Sequence, residues 1–213
     1  MKKNTALTLL ISVLAVNLSG CGTLWKTTEP RRTALSQVLV STAAERAATA
    51  LTTDNNGQVQ SNLASGLGKS FVDAKNFKNS DELYALQAIR DSFLAAGIVL
   101  VDDVKKADTI IEVATGALSI DNTSSLVGIP AMALPVPLAG NVQIPEVALY
   151  KTTNDRGLAK FSISLRDAHT GKVRIKPFTA VGTAFSKSWE VLLFFKFMEN
   201  DLQLPQQYDA LVH

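Results

Sequence analysis

The chain has 213 residues, a formal net charge of +2 and one cysteine, and is 46% hydrophobic and 19% charged. That is enough chain for a domain of ordinary size, with too little charge bias to attract nucleic acid and too few thiols for disulfides or a thiolate metal site. Lys2 and Lys3 contribute the whole excess of positive charge, so losing them takes the side-chain charge from +2 to zero.

Met1–Asn4 is a short basic start and Thr5–Val16 an uncharged, mostly apolar run. A dozen residues fall short of the ~20 a spanning helix needs and suit the apolar core of a secretory signal. Leu18-Ser19-Gly20-Cys21 follows, with small residues just before the cysteine. This resembles a bacterial lipobox. The resemblance implies cleavage before Cys21, and a diacylglycerol thioether and N-acyl chain on it. Residues 1–20 are then a signal peptide and Cys21 the lipidation site. One acyl chain holds weakly, at ~0.8 kcal/mol per buried methylene, whereas several hold firmly. Gly22 stands where an aspartate would favour inner-membrane retention, which implies the outer membrane. No noncovalent cofactor is expected.

Residues 21–35 read as a tether and 36–204 as a single α/β domain. Ser36–Leu51, rich in alanine with apolar residues at helical spacing, predicts a helix. Thr52–Gly57 is a polar loop. Gly66-Leu67-Gly68-Lys69-Ser70 invites comparison with a phosphate loop, but Leu63 occupies the position of the first glycine, and a strand follows where a helix should. A glycine turn into a strand fits better. Ser80 caps a predicted helix whose apolar face is Leu83, Leu86, Ile89 and Phe93 and whose stop is Gly97. Ile98–Val101, wholly apolar, predicts a strand buried on both faces. Lys69–Val101 is thus a strand-helix-strand unit. Asp102–Ala107 is a helical turn, and Thr109–Leu118 another strand.

Asn122–Pro145 carries no charge and four prolines, Pro130, Pro135, Pro137 and Pro145. Proline removes backbone donors, so no spanning helix forms and a long apolar loop is expected. Its Leu126, Val127, Ile129, Met132, Leu134, Val136 and Leu138 are the candidate partner or membrane contacts. The competing reading folds them onto the domain's own sheet. Glu146–Tyr150 is a strand and Asn154-Asp155-Arg156-Gly157 a turn. Ala159, Phe161, Ile163 and Leu165 alternate with Lys160, Ser162, Ser164 and Arg166, and Lys172–Phe185 returns after a second turn. That predicts an antiparallel hairpin with one wet face. In Trp189–Phe197 the residues Trp189, Val191, Leu193, Phe195 and Phe197 share one strand face, and a helix fits nearly as well; the block reads as core, with an exposed aromatic patch as the alternative. Residues 205–213 are a polar tail.

From Ser41 onward the pattern resembles a family of bacterial lipoproteins classed as a domain of unknown function. The resemblance rests on Ser41-Thr42-Ala43-Ala44-Glu45-Arg46-Ala47, the strand-helix-strand unit, Glu146–Lys151 with Arg156–Lys160, Asp167–Gly171 and the Trp189 block. The element order is also similar to the curli-export lipoprotein, which implies assembly or secretion rather than catalysis. Acids exist at strand ends (Asp102, Asp103, Asp108, Glu112), and His169 sits at a turn, but no nucleophile elbow or metal-ligand spacing accompanies them. The expectation is a mixed α/β sheet with helices packed on it, carried by a non-enzymatic, lipid-anchored lipoprotein on the periplasmic face of the outer membrane. It would act as an interaction or assembly module with an envelope protein partner or by self-association. The alternatives are an oligomeric export component and a binder of an apolar ligand under the 122–145 segment.

Overall fold

The computed structural model describes residues 22–25, 33–54, 56–60, 63, 66–77, 82–136 and 140–202. They fall into two compact units, the first comprising residues 1–27, 122–154 and 187–199 and the second 28–121, 155–186 and 200–213. In order, the elements are β1 (Gly22–Trp25), α1 (Ala34–Thr52), β2 (Lys69–Asn76), α2 (Glu82–Ala95), β3 (Val99–Leu100), a 3-10 turn (Val104–Lys106), β4 (Thr109–Ile129), β5 (Met132–Val136), β6 (Gly140–Ile144), β7 (Val147–Asp167), β8 (Val173–Val191) and β9 (Phe195–Asn200). Unit boundaries fall inside β4, β7, β8 and β9.

The second unit is a mixed sheet with two helices on it, the fold class expected. Its strands run β3-β2-β4-β7-β8, and β2 is parallel to both β3 and β4. Parallel neighbours need a crossover, and α2 supplies it between β2 and β3. The partners Asp108–Ala168, Glu112–Ser164 and Gly116–Lys160 descend along one strand as they climb the other, so β4 and β7 are antiparallel. β7 and β8 form the predicted hairpin.

Thr33 starts α1, its side-chain oxygen accepting from Ser36 N at 3.1 Å. α2 ends on Gly97 at φ +82°, with Ile98 N bonded to Phe93 O and Gly97 N to Leu94 O. That pairing of bonds is a Schellman stop, which glycine adopts without steric cost. The Ser80 cap lies outside the described residues. The helices join through Thr52 and Ser92, whose hydroxyls are 2.7 Å apart, and Ser92 Oγ also donates to Ala48 O.

The buried face of α1 is Leu39, Val40, Ala43, Ala44, Ala47, Ala48 and Leu51. Alanine lets the helix backbone come down onto the sheet, and the sheet answers with glycine. A Cβ on Gly157 would stand 2.4 Å from Leu39 O, and one on Gly182 2.1 Å from Ala43 O and 2.3 Å from Ala47 N. The same sheet face carries Ala159, Phe161, Ile163 and Leu165 of β7 and Ala180 and Ala184 of β8, all buried. They meet Phe93, Ile89 and Ile111 in one core. Their neighbours Ser164 and Arg166 face the other way and hold Glu112, Arg166 Nε donating at 2.7 Å.

Several expectations are corrected. Asn154-Asp155-Arg156-Gly157 is not a turn, because β7 runs unbroken through it. Gly157 is there to admit α1. Ile98–Val101 is not a strand buried on both faces: β3 is two residues long at the edge of the order, and Val99 is exposed. Gly22–Trp25, read as the start of the tether, is a strand antiparallel to β4, with Gly22 opposite Leu126 and Trp25 opposite Thr123. Asn122–Pro145 is not a loop. It is the end of β4 followed by the β5–β6 ribbon, with Met132 opposite Ile144 and Val136 opposite Gly140. Two of its prolines, Pro130 and Pro145, sit outside the strands, and Pro135 sits in a two-stranded ribbon, where a missing donor costs least.

Candidate functional site

The two units differ sharply in what they bury. Every residue of the main core cluster belongs to the second unit. Among the first-unit residues whose burial is described, the sole buried hydrophobic side chain is Ala148. The first unit instead exposes Val127, Ile129, Met132, Val142, Leu149, Tyr150, Leu192, Leu193, Phe194, Phe195 and Phe197, more than half of the large hydrophobics exposed anywhere in the described residues. A sheet normally buries one face against another layer, and scattered exposed apolar residues need no explanation, but a unit made of them does.

Its strands lie in the order β1-β4-β7-β8-β9. Gly128, at φ +151°, lies against Val147 O and Ala148, so the β4–β7 pairing continues here. The β5–β6 ribbon is amphipathic. Directly opposed residues of an antiparallel pair share a face, so Met132, Val142 and Ile144 face one way and Ala133, Asn141 and Gln143 the other. Two ion pairs lie in this unit, Lys151 with Glu146 at 2.6 Å and Lys196 with Glu190 at 3.8 Å. Lys187 Nζ sits 4.7 Å from the centre of the Trp189 ring.

Of the sequence-predicted contacts, Leu126 is half-buried and Val127, Ile129 and Met132 are exposed, all within the first unit. Leu134 and Val136 lie on β5. Leu138 lies outside the described residues, as do Leu18, Ser19, Gly20 and Cys21. Sequence reasoning missed the second half of this surface. Trp189–Phe197, read as core, is the end of β8, a turn and β9, and Leu192, Leu193, Phe194, Phe195 and Phe197 are exposed. The turn escaped notice because Leu192 and Leu193 hold positions that ordinarily advertise themselves with Gly or Asn. The alternation of Phe195, Lys196 and Phe197 was the available signal.

The candidate chemical groups have structural partners. Asp102 pairs with Arg90 at 3.1 Å, Asp103 accepts from Lys105 N, and Asp108 accepts from Lys69 N at 2.9 Å. Gly66 and Gly68, both at positive φ, lead into β2, and a Cβ on Gly68 would strike Asp108 Oδ2 at 2.5 Å. His169 is exposed in a turn organised by Asp167, whose Oδ1 accepts from His169 N, Thr170 N and Thr170 Oγ1 and whose Oδ2 accepts from Arg174. The Arg174 guanidinium, with the Thr170 donors, holds the Asp167 carboxyl well below the usual carboxylate range. In the second unit a cavity of about 480 Å³ is lined by Val38, Ser41, Ala44, Tyr84, Ala85 and Leu118 among others. At its mouth the Tyr84 hydroxyl donates to Glu45, whose carboxylate pushes the phenol up to about 12. Among the described residues no group of three or more His, Cys, Asp or Glu side chains could hold a metal, and no helix is long and apolar enough to cross a membrane.

These features define a mixed α/β protein with a cored unit and a β unit whose apolar side chains face outward. The family of unknown function DUF6655 matches residues 15–190, and the chain belongs to that family. No curated protein matches it.

Proposed function

We propose that this is a lipid-anchored lipoprotein of the bacterial outer membrane, held through Cys21 on the periplasmic face, and that it works as a non-enzymatic interaction or assembly module. The supporting observation is the first unit: the segment that follows Cys21 enters it as β1, and it exposes its apolar side chains while burying almost none. Such a surface is costly in water, at ~25 cal/mol per Å² of apolar area left wet, and is relieved by a lipid or protein contact. Crosslinking the intact protein in its own membrane tests this. The expected result is one dominant envelope partner, diminished when Val127, Ile129, Met132 and Val142 are replaced together by Thr. A protein that crosslinks to nothing and floats free of membranes would refute it.

The second reading is an oligomeric export component. Among the described residues β1 and β9 are the edge strands of the first unit, which favours it, since strand edges can join copies. Gel filtration in detergent would then show a species far above the 22.8 kDa chain mass.

A further inference from the structure

The β8–β9 turn combines strain with exposure. Phe194 N bonds to Val191 O, and the two central residues, Leu192 and Leu193, have φ of 51° and 68°. Positive φ at both central positions is the signature of a type I′ turn, which Asn and Gly enter freely and a branched side chain does not. Strain of this kind persists where the displayed side chains have a use. Here the tip displays Leu192, Leu193, Phe194 and Phe195, exposed by 55%, 40%, 81% and 58%, with no charge among them.

The tip also lies across the sheet from the point where the chain leaves Cys21. Gly22 pairs with Leu126 on β4, Gly128 lies against Val147 and Ala148 on β7, and Leu192 N donates to Leu149 O at 2.8 Å. From β1 to the tip is therefore three strand spacings, about 14 Å, at the same end of the same unit. We propose that Leu192–Phe195 inserts into the bilayer that holds the Cys21 acyl chains, so that the first unit is seated on the membrane at two points; this rests on the anchored reading above.

The flanking residues fit an interface. Trp189, with the Lys187 ammonium over its ring, lies three residues back from Leu192, about 10 Å along an extended strand. Lys196 is the second residue of the return strand. Tryptophan and long cationic side chains settle at headgroup level while apolar tips go a further 5–10 Å in. A second copy of the chain is the poorer occupant. Even at roughly 200 Å² for a fully exposed aromatic, four partly buried side chains offer less than the ~800 Å² per partner of a stable protein interface. A bilayer requires no complementary shape.

The test uses the full lipidated protein in phosphatidylethanolamine–phosphatidylglycerol vesicles. Phe194→Cys and, as a control on an exposed site of the second unit, Val173→Cys each introduce a thiol beside the single native cysteine, which the anchor occupies. Each is labelled with an environment-sensitive fluorophore, and quenching by doxyl-labelled lipid is read. The mass of the peptide containing Cys21 reports the anchor independently. Quenching of at least twofold at position 194, with none at 173, is the expected result, and Leu193→Asp should abolish it. Equal, weak quenching at both sites with Cys21 acylated overturns the tip insertion and leaves the anchor standing. A blue-shifted probe at 194 that lipid does not quench, with crosslinks between copies, also overturns it. Quenching at 194 with Cys21 unmodified supports the tip and refutes the anchored reading.

Discussion

Replacing Gly182 by Ala tests how α1 is held on the sheet. The added methyl would meet Ala43 O at 2.1 Å and Ala47 N at 2.3 Å, both helix backbone atoms that cannot swing aside. Ordinary contact for such a carbon begins near 3.4 Å, so the helix must lift by more than about an ångström. Lifting it loosens the packing of Leu39, Ala43, Ala47 and Leu51, which are fully buried. Overpacking of this kind costs about 1–3 kcal/mol, and a rigid backbone on the far side places it at the upper end, about 3 kcal/mol. For a protein of this size that is roughly 6–12 °C in Tm. Thermal unfolding of the detergent-solubilised protein by circular dichroism measures it. Gly116→Ala is the control, since its methyl would meet the flexible Lys160 side chain at 3.3 Å and should shift Tm by less than a third as much. A Gly182→Ala protein that melts with the wild type would refute the close approach and with it the reading of the alanine face.

Three further outcomes are expected. Leu192→Asn with Leu193→Gly should relieve roughly 2 kcal/mol of turn strain, seen as roughly thirtyfold slower hydrogen exchange at Phe194 N; unchanged exchange would mean the turn is not strained. Asp167 has a depressed native pKa, so its contribution is present above the ordinary carboxylate range and lost as pH falls through the native value. The stability gap between wild type and Asp167→Asn, from urea midpoints, should be constant above about pH 5 and shrink towards pH 2; a gap that ignores pH would contradict the Arg174 pairing. Tyr84 is raised to about 12, so its contribution is full below the ordinary phenol value and lost as pH climbs through 12. Ultraviolet titration should show a late phase that Tyr84→Phe removes, and Glu45→Gln should return it towards 10.

What the sequence made legible follows from which contacts are local. α1 and α2 are legible because their apolar positions repeat with the helix, and Gly97 marks a stop that the chain geometry demands; the face of α2 is misplaced at its start, where Leu83 is exposed and Ala85, Ile89 and Phe93 are buried. The β7–β8 hairpin was readable from strict alternation in Ala159–Arg166. Gly157 misled because its reason is distant: it makes room for Leu39, more than a hundred residues earlier, yet it stands in a run that spells a turn. Leu192 and Leu193 misled in the opposite sense, making a turn without any residue that favours one. The prolines of Asn122–Pro145 suggested a loop because an interior strand forbids them, whereas a two-stranded ribbon with its neighbours outside the ladder does not. Exposure was the least legible property. An apolar strand that packs in a core and one that lies exposed can share the same residues, so only the fold tells Val127, Ile129 and Phe195, which are exposed, from Phe161 and Ile163, which are buried.

The anchored reading turns on Cys21. On that reading, protein isolated from the cells that make it should yield an N-terminal peptide that begins at Cys21 and carries the mass of a diacylglycerol and an N-acyl chain. A peptide that begins upstream, or one that begins at any residue and carries a free Cys21 thiol, would contradict it.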